Sequence, residues 1–443
     1  MIKRRRHLKT NGLLFGRKSS PPLIRMASFL SAVFLLLLVP LTSSALTLTG
    51  ESNTFLSARE TADKSKIVPV YEYLDFSLDK IGDNRVSFHF GGWGKGDLKD
   101  ESYGKRYDAD LEYAYLSFKN DRNNTIANLG RLLVFEGVAA ERIDGVYART
   151  DLKGGFGLSG FVGSPVESDP NGVSGDTIYG GRASFQIPAS LVLGVSYLRE
   201  TNSGAEFREE MGLDLWLKPV KKVMITGKSA YNSTTDGWME HTYFLSLGPF
   251  GNLRLNSEAS WINYKDYFAS ATINAFKLTP DILDPNEKVR VLGEEAAYTI
   301  NENLIASAEY KNYHYSLAGS ADYFGAKLTY SVPGKGGAGL SVHRMNGGTD
   351  RLKYDEFRVY GFKKLGKADL TLDFMDVDYD NEISGIKNSY VASLAAGYDV
   401  TQRVRVVADI DYSRNPIFDK DIRTFLRLVC RFDSIYGGEK GAK

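Results

Sequence analysis

Residues 130–150 read GRLLVFEGVAAERIDGVYART and gather Glu136, Glu141, Arg142 and Asp144 beside small residues. Opposite charges clustered in this way suit an electrostatic role. Across the lumen of a channel, such charges set ion preference and focus the local potential. On an external loop the same charges would meet water, or tie the loop to a wall as ion pairs.

Other chemistry has little support. His89, His241, His314 and His343 show no HxxxH or HExxH spacing. Cys430 is the only cysteine, so neither an internal disulfide nor a multi-Cys metal site is expected. The chain lacks CxxCH for covalent haem, the GxSxG nucleophile elbow and the GxxxxGK[ST] phosphate loop. No cofactor, metal or catalytic residue is expected. Barrel lipases and proteases draw their serine, histidine and acid from distant strands, which leaves no local pattern.

The elements that must hold these charges follow a leader. Residues 27–42 are an apolar run behind a basic segment, and Ser43-Ser44-Ala45 gives a small-residue cleavage site. That pattern predicts a secretory signal peptide over 1–45. The run is short for a membrane span of roughly 20 residues, which disfavours a retained anchor. Met26 is an alternative start. The leader carries eight basic residues and no acid, so 47 basic and 54 acidic residues remain in 46–443. An acidic remainder argues against nucleic-acid binding.

After Ala45 the hydrophobic signal has period two. Val404, Val406, Ala408, Ile410 and Tyr412 alternate with Arg405, Asp409 and Asp411, with Arg403 just ahead. Ala368, Leu370, Leu372 and Phe374 alternate with Asp369, Thr371 and Asp373. Met211, Leu213, Leu215 and Leu217 alternate with Glu210, Gly212, Asp214 and Trp216. Leu74, Phe76 and Leu78 oppose Asp75, while Val86, Phe88 and Phe90 oppose His89. Successive strand side chains point to opposite faces, so each segment is a two-faced strand.

Soluble sandwiches alternate too, but their strands are shorter. These run about 9–13 residues, near the 9–11 that cross an outer membrane on a tilt. In hydrocarbon an open sheet edge is prohibitively costly, so the sheet must close. The expectation is an all-β, closed, antiparallel transmembrane barrel of about 22 strands, filling 46–443 with one domain. Connections alternate between short turns and longer polar loops, the longest over 264–287. Residues 134–144 are expected to be an inward loop, with the next strand starting near 144.

A charge on the lipid face costs about 2–4 kcal/mol at the bilayer midplane for Arg or Lys. The charged partners of apolar neighbours are therefore lumen-wall candidates: Asp75, His89, Glu210, Asp214, Asp369, Asp373, Arg403, Arg405, Asp409, Asp411, Arg427 and Arg431. Arg131 shares parity with Leu129 and Leu133, so pattern alone does not turn it inward. Aromatics near strand ends, among them Tyr71, Tyr73, Trp93, Tyr113, Tyr115, Tyr197 and Tyr310, suit anchors at the headgroup level or ordinary sheet packing, and their number does not choose between the two. The strand pattern begins almost at once after Ala45, which leaves no room for an N-terminal plug.

The stretch GRLLVFEGVAAERIDG, with its strand–turn–strand pattern, resembles Gram-negative porin-like proteins. In those a strand carrying a Gly-Arg pair leads to an inward loop and then Asp-Gly, here Gly130-Arg131 and Asp144-Gly145. The wording ESNTFLSARETADKSKIVPVYEYLDF is similar to outer-membrane channel proteins of geobacter-type bacteria. Some of that group sheathe multihaem c-type cytochromes. The resemblance implies an outer-membrane channel for small solutes or ions, in contact with outer-membrane lipid. Alternatively it implies a scaffold barrel around a multihaem c-type cytochrome that serves extracellular electron transfer. An adhesin or structural barrel is a third class. A departure concerns the end: the last strand reads as Thr424–Phe432, with a tail from Asp433 to Lys443.

Overall fold

The structure, a computed structural model, describes residues 46–60, 65–81, 84–102, 105–166, 175–267, 284, 286–417 and 420–436. The leader expected over 1–45, most of the 264–287 connection and the tail beyond Tyr436 lie outside the described residues.

Period two becomes one antiparallel sheet of 22 long strands. The first eight are β1 (Leu46–Glu60), β2 (Pro69–Asp79), β3 (Val86–Asp97), β4 (Tyr107–Lys119), β5 (Thr125–Glu136), β6 (Ala139–Asp151), β7 (Phe156–Pro165) and β8 (Thr177–Ile187). Next come β9 (Leu191–Asn202), β10 (Ala205–Val220), β11 (Val223–Asn232), β12 (Gly237–Phe250), β13 (Leu253–Asn263), β14 (Lys288–Asn301) and β15 (Leu304–Tyr315). The last are β16 (Gly319–Val332), β17 (Gly336–Gly347), β18 (Lys353–Leu365), β19 (Ala368–Ile383), β20 (Ile386–Asp399), β21 (Val404–Arg414) and β22 (Asp421–Tyr436). A two-residue piece, Lys66–Ile67, extends the pairing along the end of β1.

The sheet closes on itself. β1 pairs with β2 on one edge and with β22 on the other, from Leu46↔Tyr436 to Arg59↔Arg423. Closure gives both edges of the first and last strands a backbone partner, which hydrocarbon demands. It also lengthens the last strand beyond the expected Thr424–Phe432: Leu46 to Thr49 offer partners as far as Tyr436.

One face of the wall is apolar and open. Leu116, Leu129, Val146, Val162 and Tyr179 are direct neighbours across five strands, and each is 36–53% exposed. Apolar surface continuous on this scale belongs in lipid rather than water. The barrel therefore spans a bacterial outer membrane with this face outward. The opposite face, with Asp75, His89, Asp214 and Arg427, lines the interior. Turns such as 221–222, 251–252 and 366–367 are short at one end, where β1 starts and β22 finishes. The other end carries the longer 98–106, 166–176 and 264–287 connections, as on the external side of such barrels.

The number of long strands is the one expected, but one segment differs from its expectation. Residues 134–144 are a hairpin, not a loop, and β6 begins at Ala139 rather than near 144. Glu136 pairs with Ala139, and Gly137 takes a φ of +64° in the turn between them. Glycine adopts that conformation without steric cost, so two residues suffice to reverse the chain.

Candidate functional site

The β5–β6 hairpin leaves the wall. β5 pairs with β4 only from Ile126↔Lys119 to Arg131↔Ala114, whereas β4 continues alongside β3 to Tyr107. The departure occurs at Gly130, whose φ is +133° and whose Cβ would collide with the Ala114 carbonyl. Beyond that point the hairpin leans across the inner face of β7 to β10. Register makes this plain. Arg149, Ser159, Arg182, Ser196 and Gly212 are successive partners in one row across β6 to β10. Yet the hairpin tip touches that same row: the Val138 N–H donates to Ser196 Oγ at 3.0 Å. A Cβ on Gly212 would meet the Val138 side chain, and a Cβ on Gly137 would meet Ser196. The tip is folded back inside the barrel.

Apolar packing holds it there. Leu132, Val134, Ala139 and Ile143 of the hairpin bury against Phe161, Ile178 and Leu198 of the wall, all 5% exposed or less. Leu132, Val134 and Ile143 alone contribute roughly 5–9 kcal/mol relative to water. This small core seats the hairpin on the inner face of the wall.

Charges then tie the hairpin at both margins. Toward β10, Arg208 donates to Glu141 at 2.8 Å and to Glu210 at 2.5 Å, with all three side chains at most 17% exposed. Glu136, 6% exposed, accepts from Tyr147 Oη at 2.5 Å. Arg182 forks onto Asp214 at 2.5 and 2.8 Å, beside the tip. Toward β4, Arg142 meets Asp110 at 2.5 Å. Arg131 grips Asp144 through two bonds of 2.7 and 2.8 Å and donates to the Leu111 carbonyl at 3.1 Å.

This geometry answers the parity question for Arg131. Arg131, Leu133 and Phe135 share a hairpin face with Arg142 and Asp144. Where β5 lies in the wall, that face is the lipid face, as Leu129 shows. Once the hairpin turns in, its other face is pressed on the wall and this one looks into the interior.

The expected residues thus divide. Glu136, Glu141, Arg142 and Asp144 all lie on the hairpin, and Glu210 and Asp214 face it from β10. The rest lie elsewhere on the barrel. Asp75 accepts from Tyr113, and His89 lies 2.9 Å from both Ser77 and Ser87 hydroxyls and stacks on Tyr115. Arg405 bridges Asp369 at 2.5 Å and Asp399 at 2.9 Å, and Arg358 holds Asp373 at 2.5 Å. Arg427 and Arg431 converge on Glu51 at 3.6 and 2.9 Å. Asp409 and Asp411 share the inner side of β21 with Arg405. Arg403 lies in the turn before β21, paired with Asp433 at 2.6 Å.

Arg182 and Arg208 were not expected. Arg208 stands two residues before Glu210, so period two alone puts it on the same face. Nothing local points to Arg182, because its role depends on a hairpin arriving from β6 and β5, two and three strands away. The aromatic expectation needs correction. Tyr71, Tyr73, Trp93, Tyr113 and Tyr115 share the inner face with Asp75 and His89, so they do not meet lipid headgroups. Tyr197 and Tyr310 do lie on the lipid-facing parity, beside Val195 and opposite Phe324.

No protein-family model matches the chain, and no curated protein matches it. Among solved structures, two mutant forms of the ferric enterobactin receptor PfeA of Pseudomonas aeruginosa are similar. One is 9% identical with a TM-score of 0.55, and the other 10% identical with a TM-score of 0.53. Each similarity covers 88% of this chain and 81% of the receptor. OpdK of the same organism, solved with vanillate, is 8% identical over 88% of this chain and 99% of its own, with a TM-score of 0.43. At these identities the likeness is one of fold: a large outer-membrane barrel.

Proposed function

We propose that the barrel is a passive channel for small solutes or ions, narrowed by the hairpin at 134–144. Glu136, Glu141, Arg142 and Asp144 are the constriction charges in this reading, joined by Arg182 and Arg208. The observation that carries it is the hairpin tip seated on Ser196, held at one margin by Arg208 and at the other by Asp110. A loop that served only outside contacts would gain nothing from an internal apolar seat. Selection follows from width and fixed charge, and no covalent step enters.

A sheath around a multihaem c-type cytochrome, the conduit role of some geobacter-type barrels, is the second reading. It needs an interior cleared for another protein. The hairpin takes up part of that space, which counts against such an occupant. Single-channel conductance of the purified protein in a planar bilayer, paired with a haem stain of copurifying material, separates the two. We expect discrete open steps and no haem. A silent barrel carrying stoichiometric haem protein would overturn the channel reading.

A further inference from the structure

The inner aromatic rings call for an explanation of their own. Phe425 of β22, Phe55 of β1, Tyr71 and Tyr73 of β2 and Trp93 of β3 form one chain of ring contacts. Phe55 lies 5.2 Å from both Phe425 and Tyr73, and Trp93 lies 6.0 Å from Tyr71 and 6.4 Å from Tyr73. Tyr113 and Tyr115 of β4 continue the surface, 6.0 Å apart. Membrane anchoring cannot account for them, since lipid touches the other face. Core packing cannot either: Tyr73 is 36% exposed toward the interior.

Two neighbours indicate what these rings would hold. Asp75 follows Tyr73 on the same face and is exposed, and among the described residues no Lys or Arg lies within ion-pair reach of it. A carboxylate set among ring faces presents negative charge and negative π density together. The second neighbour is Arg427, whose guanidinium already rests over the Phe55 ring at 5.2 Å. The surface thus holds a cation of its own at one end. Ring faces attract cations through their quadrupole, and quaternary ammonium groups are bound in this way.

We propose that this inner face binds organic cations, ammonium or guanidinium compounds small enough to pass the hairpin. Its edge supports the link: Trp93 is the register partner of Asp110, the residue that anchors Arg142 of the hairpin. A cation leaving the rings therefore meets the charged hairpin next. The proposal rests on the channel reading for the route through the barrel, though not for binding itself.

Calorimetry on the detergent-solubilised full chain tests it, with three ring compounds of similar size as probes: benzyltrimethylammonium, benzyl alcohol and benzoate. Only the cation is expected to bind measurably. Tyr73→Leu and Trp93→Leu, which keep an apolar side chain, should each weaken it about fivefold. Asp75→Asn, the smallest change, should weaken it by a similar factor. Equal binding of benzoate, or wild-type affinity in all three variants, would overturn the proposal. Bilayer recordings on the same preparation separate the two readings. A silent barrel that binds the cation removes the channel and keeps the site; a conducting barrel that binds none does the reverse.

Discussion

Glu141 on the hairpin and Arg208 on β10 meet at 2.8 Å, although 67 residues separate them in sequence. The same guanidinium holds Glu210 at 2.5 Å, so one side chain joins the hairpin to the wall. Arg208→Met leaves two carboxylates facing each other with no cation. Breaking a buried pair in this way costs about 3–5 kcal/mol. The barrel should stay folded while the hairpin detaches, giving larger and noisier conductance steps. Adding Glu141→Gln and Glu210→Gln should quiet them. Wild-type steps in Arg208→Met would remove the hairpin from the conduction path.

Glu136 lies near the tip on the face pressed to the wall, where Tyr147 fixes its position. Glu136→Gln should lower the ratio of cation to anion permeability about twofold, the scale of one unit charge roughly 10 Å from the ion path. The reversal potential in a potassium chloride gradient reads this directly. An unmoved potential would mean that ions pass out of range of Glu136.

Gly137 carries the turn at φ +64°, and a Cβ there would run into Ser196. Gly137→Val should destabilise the tip by about 1–3 kcal/mol. Amides of 132–142 should then exchange with deuterium about tenfold faster or more. Amides of β5 that pair with β4 should keep their wild-type rates. Uniform acceleration over both halves would show that the hairpin and the wall unfold together.

An acid-sensitive contact lies at the external end. Burial alone raises the Glu287 carboxyl, but hydrogen bonds from Ser316 Oγ and the N–H groups of Leu317, Ala318 and Lys288 outweigh it and hold it below the usual carboxylate range. A carboxyl depressed in the folded state lends its full stability above its unfolded value of about 4.3. That stability drains as pH falls through the lower folded value. The 316–318 turn should therefore hold at neutral pH and loosen below about pH 4. Exchange rates of the Leu317 and Ala318 amides, corrected for intrinsic pH dependence, would report it. Glu287→Gln should abolish the acid step, and a step that persists in that variant would assign it to another group.

Much of this architecture could be read from residue order. Alternation such as Val404 to Tyr412 decides strand and face together, because lipid tolerates little on one side and water little on the other. The hairpin strained that logic. Val134, Phe135 and Val138 beside Gly137 read as irregular only if the strand must stay in the wall. Its surroundings were less legible still, since Arg182 beside the tip and Arg208 bonded to Glu141 belong to strands that do not neighbour it in the chain. The inner rings failed for another reason. Tyr and Trp near a strand end look alike on either face, and parity with Asp75 separates them where residue type does not.

The closing seam between β1 and β22 has a consequence for how the molecule forms. Glu51 and Arg431, bonded across it at 2.9 Å, stand 380 residues apart. Every other neighbouring pair of strands is joined by a nearby connection and can zip up as the chain emerges. This pair alone must bring opposite extremities together, at the greatest loop-closure cost in the molecule. Until it does, two bare edges face whatever surrounds the chain. Closure of the barrel thus rests on its first residues meeting its last.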